Sequence, residues 1–397
     1  MKKQLELLLL VCLFFVIFTN PVNAQEINYA NGIQNESHIN ISFDPNSNFN
    51  NSEKSEIAAA SNSWEQTGIA LNMARTPMFY NSSTYNTTDG VSFKKGYISG
   101  TPIANCAYNL ADSQTVKSSH ITFSTNTSYS WTTNIGEANG SEDVWIWDVQ
   151  SVALHELGHS LGLGHFSNFD AVMYAQMAVY GKRNVTVHDK FYLTQIYDSS
   201  SLSASSNYWI SQGLTFQPNE NHLNLRQSPV EKEKSYDIEL GMDIFYPAFD
   251  DEQMVNVSDL IVKGRVKEIT PSWWNTSDGK APPIENMLEY SLFHDVIIEV
   301  EETFKGNITG KSQEIIIRQA GGTLDNVRQT TSVPQYYEDE EVILYLVEEA
   351  LSDKTGLKYY TQISEKGQIF IIEENFAVNG LGQEINIQEN VVSQIEK

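Results

Sequence analysis

Eleven residues in the first half of the chain restrict its fold more than any others: His155-Glu156-Leu157-Gly158-His159-Ser160-Leu161-Gly162-Leu163-Gly164-His165. Histidines four apart on a helix project from one face, one turn apart. That spacing lets two imidazoles reach one metal ion. Gly162 lets the chain leave the helix sharply, in a conformation closed to other residues, and the turn carries His165 back as a third ligand. Three neutral histidines on zinc leave the fourth tetrahedral position open, as in a catalytic rather than a structural site. Glu156 follows the first ligand and can face a water there, take its proton and pass it to a leaving amine. The metal would acidify that water and polarise a carbonyl. Histidine is scarce, 8 of 397 residues, so three unrelated histidines explain the pattern poorly.

The flanking segments supply a domain around this helix. Asp148 stands where it can cap the helix N-terminus, and the helix is expected to run to about Leu161. His38–Phe43 and Ser119–Ser124 alternate as strands do, and Val91–Ile98 is strand-like. Ser52–Gly68 carries Ile57, Ala60, Trp64 and Ile69 near helical spacing, which predicts an amphipathic helix. A closing helix fits Asp189–Tyr197. Strands, a motif-bearing helix and a closing helix make an α+β domain. Asp198 to about Asp251 contains a serine run and an alternating charge cluster and reads as an extended connection. From Val255 on, short apolar runs recur: Leu260–Val266, Val296–Val300, Glu314–Ile317, Val342–Val347, Lys358–Ile363 and Ile369–Ile372. These predict an all-β domain, barrel or sandwich.

At the N-terminus, Lys2 and Lys3 precede an apolar run of about 12 residues, too short to span a bilayer at ~20 residues. Small residues at Val22 and Ala24 complete an export signal. The expected organisation is therefore a signal peptide over 1–24, a catalytic domain over 25–198, a connection over 199–251 and a β domain over 252–397. A secreted chain with no membrane contact after signal cleavage follows. Of the two cysteines, Cys12 falls within the signal, so Cys106 is left unpaired and reads as a buried small hydrophobe. With 50 acidic against 25 basic residues and a net charge of -25, the chain lacks the basic surface that binds nucleic acid. Nothing in the β domain points to a ligand.

The motif resembles that of the metzincin zinc peptidases, H-E-x-x-H-x-x-G-x-x-H followed by a methionine turn. Asp170-Ala171-Val172-Met173-Tyr174 supplies the second part and looks like the matrixin branch. The resemblance covers roughly Asn28 to Asp198. It implies a twisted, mainly antiparallel sheet with an active-site helix. It also implies zinc held by His155, His159 and His165, Glu156 as general base and acid, and Met173 packed beneath the imidazoles. The implied activity is endopeptidase cleavage of extended polypeptide substrates. A substrate would add to an edge strand near Ile121–Ser124, with Tyr174–Tyr180 walling the pocket for the side chain after the cut. Phe166 and Ala175 depart from the family's usual Ser and Pro. Asp143 and Asp148 are candidate calcium ligands. There is no cysteine-bearing propeptide, and the first strand starts about 14 residues after the cleavage site, far below a domain's length. Either latency is absent or a short N-terminal segment blocks the site. Glu26 and Glu36 are the carboxylates there, although solvated acids are the commoner case. The rival reading is a secreted adhesion or binding protein with an idle metzincin scaffold.

Overall fold

In the computed structural model the described residues are 32–198 and 236–388, less 99, 113, 141–143, 167, 178–180, 309–312 and 350–357, together with 209, 211–214, 226 and 391. The proposed signal peptide and Glu26 lie outside them.

The first half is built from β1 (Ile39–Phe43), α1 (Asn51–Ala70), β2 (Phe79–Asn81), β3 (Gly90–Gly96), β4 (Ala104–Asp112), β5 (Thr115–Ser124), α2 (Val149–Ser160), β6 (Gln176–Met177) and α3 (Val187–Tyr197). Helix α1 starts on a reciprocal cap. Asn50 Oδ1 accepts from Glu53 N at 2.9 Å, and Glu53 Oε2 accepts from Asn50 N at 3.0 Å. Its buried face presents Ile57, Ala60 and Trp64. The indole of Trp64 donates to Leu154 O at 2.8 Å, which ties α1 to α2.

The sheet runs β2-β1-β3-β5-β4. Every neighbouring pair in it is parallel except β4–β5. The expectation of a mainly antiparallel sheet is therefore corrected. Strand β1 reaches β2 through α1, and such a crossover returns the chain in the same direction. The expected edge near Ile121–Ser124 is corrected too. Those residues lie in β5, between β3 and β4, and the borders of this five-stranded unit are β2 and β4.

The second half adds β7 (Ile238–Pro247), α4 (Asp251–Val257), β8 (Leu260–Ile269), β9 (Leu292–Lys305), β10 (Glu314–Ala320), β11 (Val327–Thr331), β12 (Glu341–Glu348), β13 (Tyr359–Gln362) and β14 (Gln368–Glu373). Strands β8, β9, β10, β13 and β12 pair in that order, and β12 returns to β8 through Leu260↔Leu346 to Arg265↔Glu341. The result is a closed five-stranded barrel with order 1-2-3-5-4-1 and one parallel pair, β10–β13, the topology of an OB barrel. Along β9, Leu292, His294, Val296, Ile298 and Val300 are buried while their neighbours are not, the period of two that a barrel wall requires.

Strand β7 falls inside the stretch read as an extended connection, and it is a strand in the first sheet. It pairs antiparallel with β4 from Leu240↔Asn109 to Phe245↔Ala104. On its other edge β11 continues the sheet in parallel, Ile238↔Val327 to Met242↔Thr331. One sheet thus runs through both halves of the molecule. No helix among the described residues is long and apolar enough to cross a membrane.

Candidate metal centre

Helix α2 begins at Asp148, whose Oδ2 accepts from Ser151 N at 2.9 Å and from Arg183 Nε at 3.0 Å. The helix cap and the arginine engage this carboxylate, and Asp143, the other acid named for calcium, lies outside the described residues. The helix is buried along nearly its whole length. It ends at Ser160, two residues before Gly162, which sits at φ 92°, in the left-handed region only glycine enters freely. The chain then turns back and sets His165 against the other two imidazoles.

The Nε2 atoms of His155 and His159 are 3.0 Å apart, and those of His155 and His165 are 3.3 Å apart. Among the described residues these three form the one group of side chains close enough to hold a metal ion. Zinc–nitrogen bonds of about 2.05 Å in a tetrahedron set nitrogens about 3.3 Å apart, so the donor set fits zinc. The tautomers fit as well. His155 Nδ1 lies 2.8 Å from Val172 O, and His159 Nδ1 lies 2.8 Å from Leu163 O. A carbonyl only accepts, so each Nδ1 carries the proton and each Nε2 turns a lone pair inward. Burial, then the neighbouring imidazoles, hold His155 and His165 well below the usual histidine range. They are therefore neutral, as ligands must be.

Met173 is fully buried and packs against α2 at Gly158. A Cβ on Gly158 would run into its sulfur, so the glycine inside α2 is what lets the methionine approach. The turn carrying Met173 is held by Asp189, which the sequence presented only as a helix start. The Asp189 carboxylate accepts from Val172 N at 3.0 Å, Met173 N at 3.1 Å and Thr186 N at 2.9 Å. Through Val172 it fixes the carbonyl that orients His155. Phe166 packs its ring on Tyr192, centroids 4.3 Å apart.

Glu156 is fully buried, and neither of its carboxylate oxygens has a hydrogen-bond partner among the described residues. Burial, then the charge of Asp243, pushes its carboxyl well above the usual range. Three residues unforeseen from the sequence stand against the imidazoles. Asp243 Oδ2 is 3.4 Å from His159 Nδ1. Glu365 Oε1 is 4.0 Å from His165 Nδ1. Phe245 stacks flat on His155, with ring centroids 3.6 Å apart and planes at 6°. The alternation of Met242, Ile244 and Tyr246 with Asp243 and Phe245 was the available signal for a strand here. Nothing local tied it to the motif. Of the N-terminal carboxylates named as a cover, Glu36 instead faces Arg75 at 3.9 Å. The expected pocket wall is described as far as Met177. A small cavity beside His155 is lined by Val172, Gln176, Met177, Lys182 and Phe245.

Two histidines on a buried helix, a third beyond a glycine turn, and a methionine turn packed on that helix make a metzincin-like arrangement. The family model for the matrixin peptidases matches residues 33–198, and this region is a matrixin-like domain. Metalloendoproteinase 1-MMP of Arabidopsis thaliana is 42% identical over 62 residues, 15% of this chain and 17% of the relative. The chain therefore matches well under a fifth of that relative's length. Among solved structures, high choriolytic enzyme 1, a hatching-enzyme zinc-protease of the medaka fish Oryzias latipes, aligns over 41% of this chain and 89% of its own. The identity there is 10% and the TM-score 0.23.

Proposed function

We propose that the chain is a zinc-dependent endopeptidase acting on extended polypeptides. One observation carries this reading. Three imidazole Nε2 atoms converge beside a buried carboxylate, and backbone carbonyls fix the tautomers of His155 and His159. His155, His159 and His165 would hold the ion. When bound, zinc supplies Lewis acidity, polarising a carbonyl and lowering the pKa of a water. Glu156 does the proton work. One of its oxygens takes a proton from the attacking water and later returns it to the amine nitrogen as the peptide bond breaks. The border of β4, which β7 pairs with in this structure, would take an extended substrate by strand addition in place of β7, which orients the scissile peptide before the chemistry begins.

The test is prolonged incubation of the zinc-loaded chain with unfolded casein, beside Glu156→Ala at equal zinc content. Cleavage should fall by about 10² or more without the carboxylate. Equal cleavage by both chains would refute the role of Glu156, and cleavage by neither would refute the peptidase reading for the chain as it stands.

A further inference from the structure

The border of β4 is where a substrate strand would add, and β7 already lies there. It runs antiparallel to β4 over six register pairs. Its last residues also pair in parallel with β6, Tyr246↔Gln176 and Pro247↔Met177. It thus threads between the sheet border and the segment beyond the methionine turn. Successive residues of a strand face opposite ways, so Asp243 and Phe245 share the face turned toward α2. Phe245 covers His155 and lines the small cavity beside it. Asp243 covers His159, and Glu365, from the turn before β14, covers His165. Each of the three imidazoles meets one residue from the second half of the chain. His155 and His159 are left 1% exposed and Glu156 not at all.

We infer that β7 is an internal substrate mimic that holds the enzyme latent. The regulation rests on the peptidase reading; the occlusion does not.

The packing shows which half β7 belongs to. Its other face, with Leu240, Met242, Ile244 and Tyr246, lies in one apolar cluster with Trp274, Met287, Leu288, Leu292, Val327 and Val333. Ala107 is the one buried member of that cluster drawn from β4. Ser332 N donates to Met242 O at 3.1 Å, and Ile244 N donates to Ser332 Oγ at 3.0 Å. Only Phe245 crosses into the core of the catalytic half. Release therefore parts β7 from β4 and β6 while β7 stays paired with β11, so the second half moves away as a body. The groove needs no refolding, because β4 and its neighbours keep their own pairings. This cover comes from the C-terminal half; the sequence left open either no latency or a short N-terminal segment, and Glu26 of that segment lies outside the described residues.

The test locks the strand reversibly. Asn105 and Ile244 are register partners, on the face turned away from the imidazoles. Asn105→Cys with Ile244→Cys, in a chain with Cys12 and Cys106 changed to serine, places two thiols across the β4–β7 pair. Binding of a dipeptide hydroxamate, a zinc chelator that needs the open groove, is measured by calorimetry on zinc-loaded protein. The disulfide is formed in one sample and reduced with a phosphine in the other. Mass spectrometry verifies each state. Because apparent affinity scales with the open fraction, the reduced form should bind roughly tenfold tighter or better, and it alone should cleave a fluorogenic peptide. Equal hydroxamate affinity in the two states overturns the proposal. So does absence of binding in the reduced state, since a groove that never opens regulates nothing. Tighter binding on reduction without cleavage in either state upholds the occlusion and refutes the peptidase reading instead.

Discussion

At the scale of single residues, the metal centre depends on groups that never touch a metal. Asp189 is the clearest. Its buried carboxylate gathers three backbone N–H groups, two of them from the turn whose Val172 carbonyl orients His155. Asp189→Asn keeps the size but turns one acceptor oxygen into a donor that faces N–H groups. Partners of this kind are worth about 10- to 100-fold in metal affinity, so competition against a chromogenic chelator should show zinc binding weakened by that factor. An unchanged affinity would mean the turn is held by packing alone. Cys106 carries no comparable role. Its thiol is buried, 3.6 Å from Ser160 Oγ, and burial raises it well above the usual thiol range. It serves as a small core residue, as its lone status in the sequence suggested. His155, His159, Glu156 and His165 were readable from local spacing alone, because helical periodicity and one glycine turn decide where they point. Asp189 was not, because the N–H groups it collects belong to another segment.

At the scale of elements, the strands and helices fall close to where period and caps put them. Asp148 caps helix α2 as read, and β1 spans Ile39–Phe43, one residue shorter than the His38–Phe43 read as a strand. What the patterns do not carry is neighbourhood. Strand β5 was read as a border and is interior, and that burial has a consequence for pH. His120 on β5 is buried, 2.7 Å from Ser92 Oγ, with burial and then the charge of Lys94 lowering its pKa to about 3. In the unfolded chain a histidine titrates near 6.5. Between those values the unfolded chain binds a proton that the folded chain refuses. Its contribution to stability is therefore full above about pH 6.5 and is lost as the pH falls toward 3. The slope is at most about 1.4 kcal/mol per pH unit. Urea unfolding of His120→Gln should show a flatter stability profile than the parent chain from pH 6.5 down to 4. Parallel profiles would remove His120 from the acid response.

At the scale of the whole molecule, the two halves share a sheet through β7 and β11, and this couples their unfolding. Separate domains on a linker would melt separately. Here calorimetry should record one transition for the first sheet and the barrel together. Removing zinc with a chelator should lower that whole transition, because an ion bound only by the folded state stabilises everything that unfolds with it. Two transitions, with only the first responding to the chelator, would contradict the shared sheet.

By itself the sequence determined what is set by neighbours along the chain: the helix that aligns two histidines, the glycine that returns the third, the caps, and the alternating strands of the barrel. These follow from periods of 3.6 and 2 and from side chains a few residues apart, so a short window suffices to read them. Only the tertiary structure decided what lies on β4. Asp243 faces Cys106 across 137 residues of chain. An apolar strand can pair with any open edge that matches its alternation, so its own residues do not say which edge it takes. That choice came from the packing of β7 against the barrel side and the fit of Phe245 against His155, and it turned a legible metal site into a closed one.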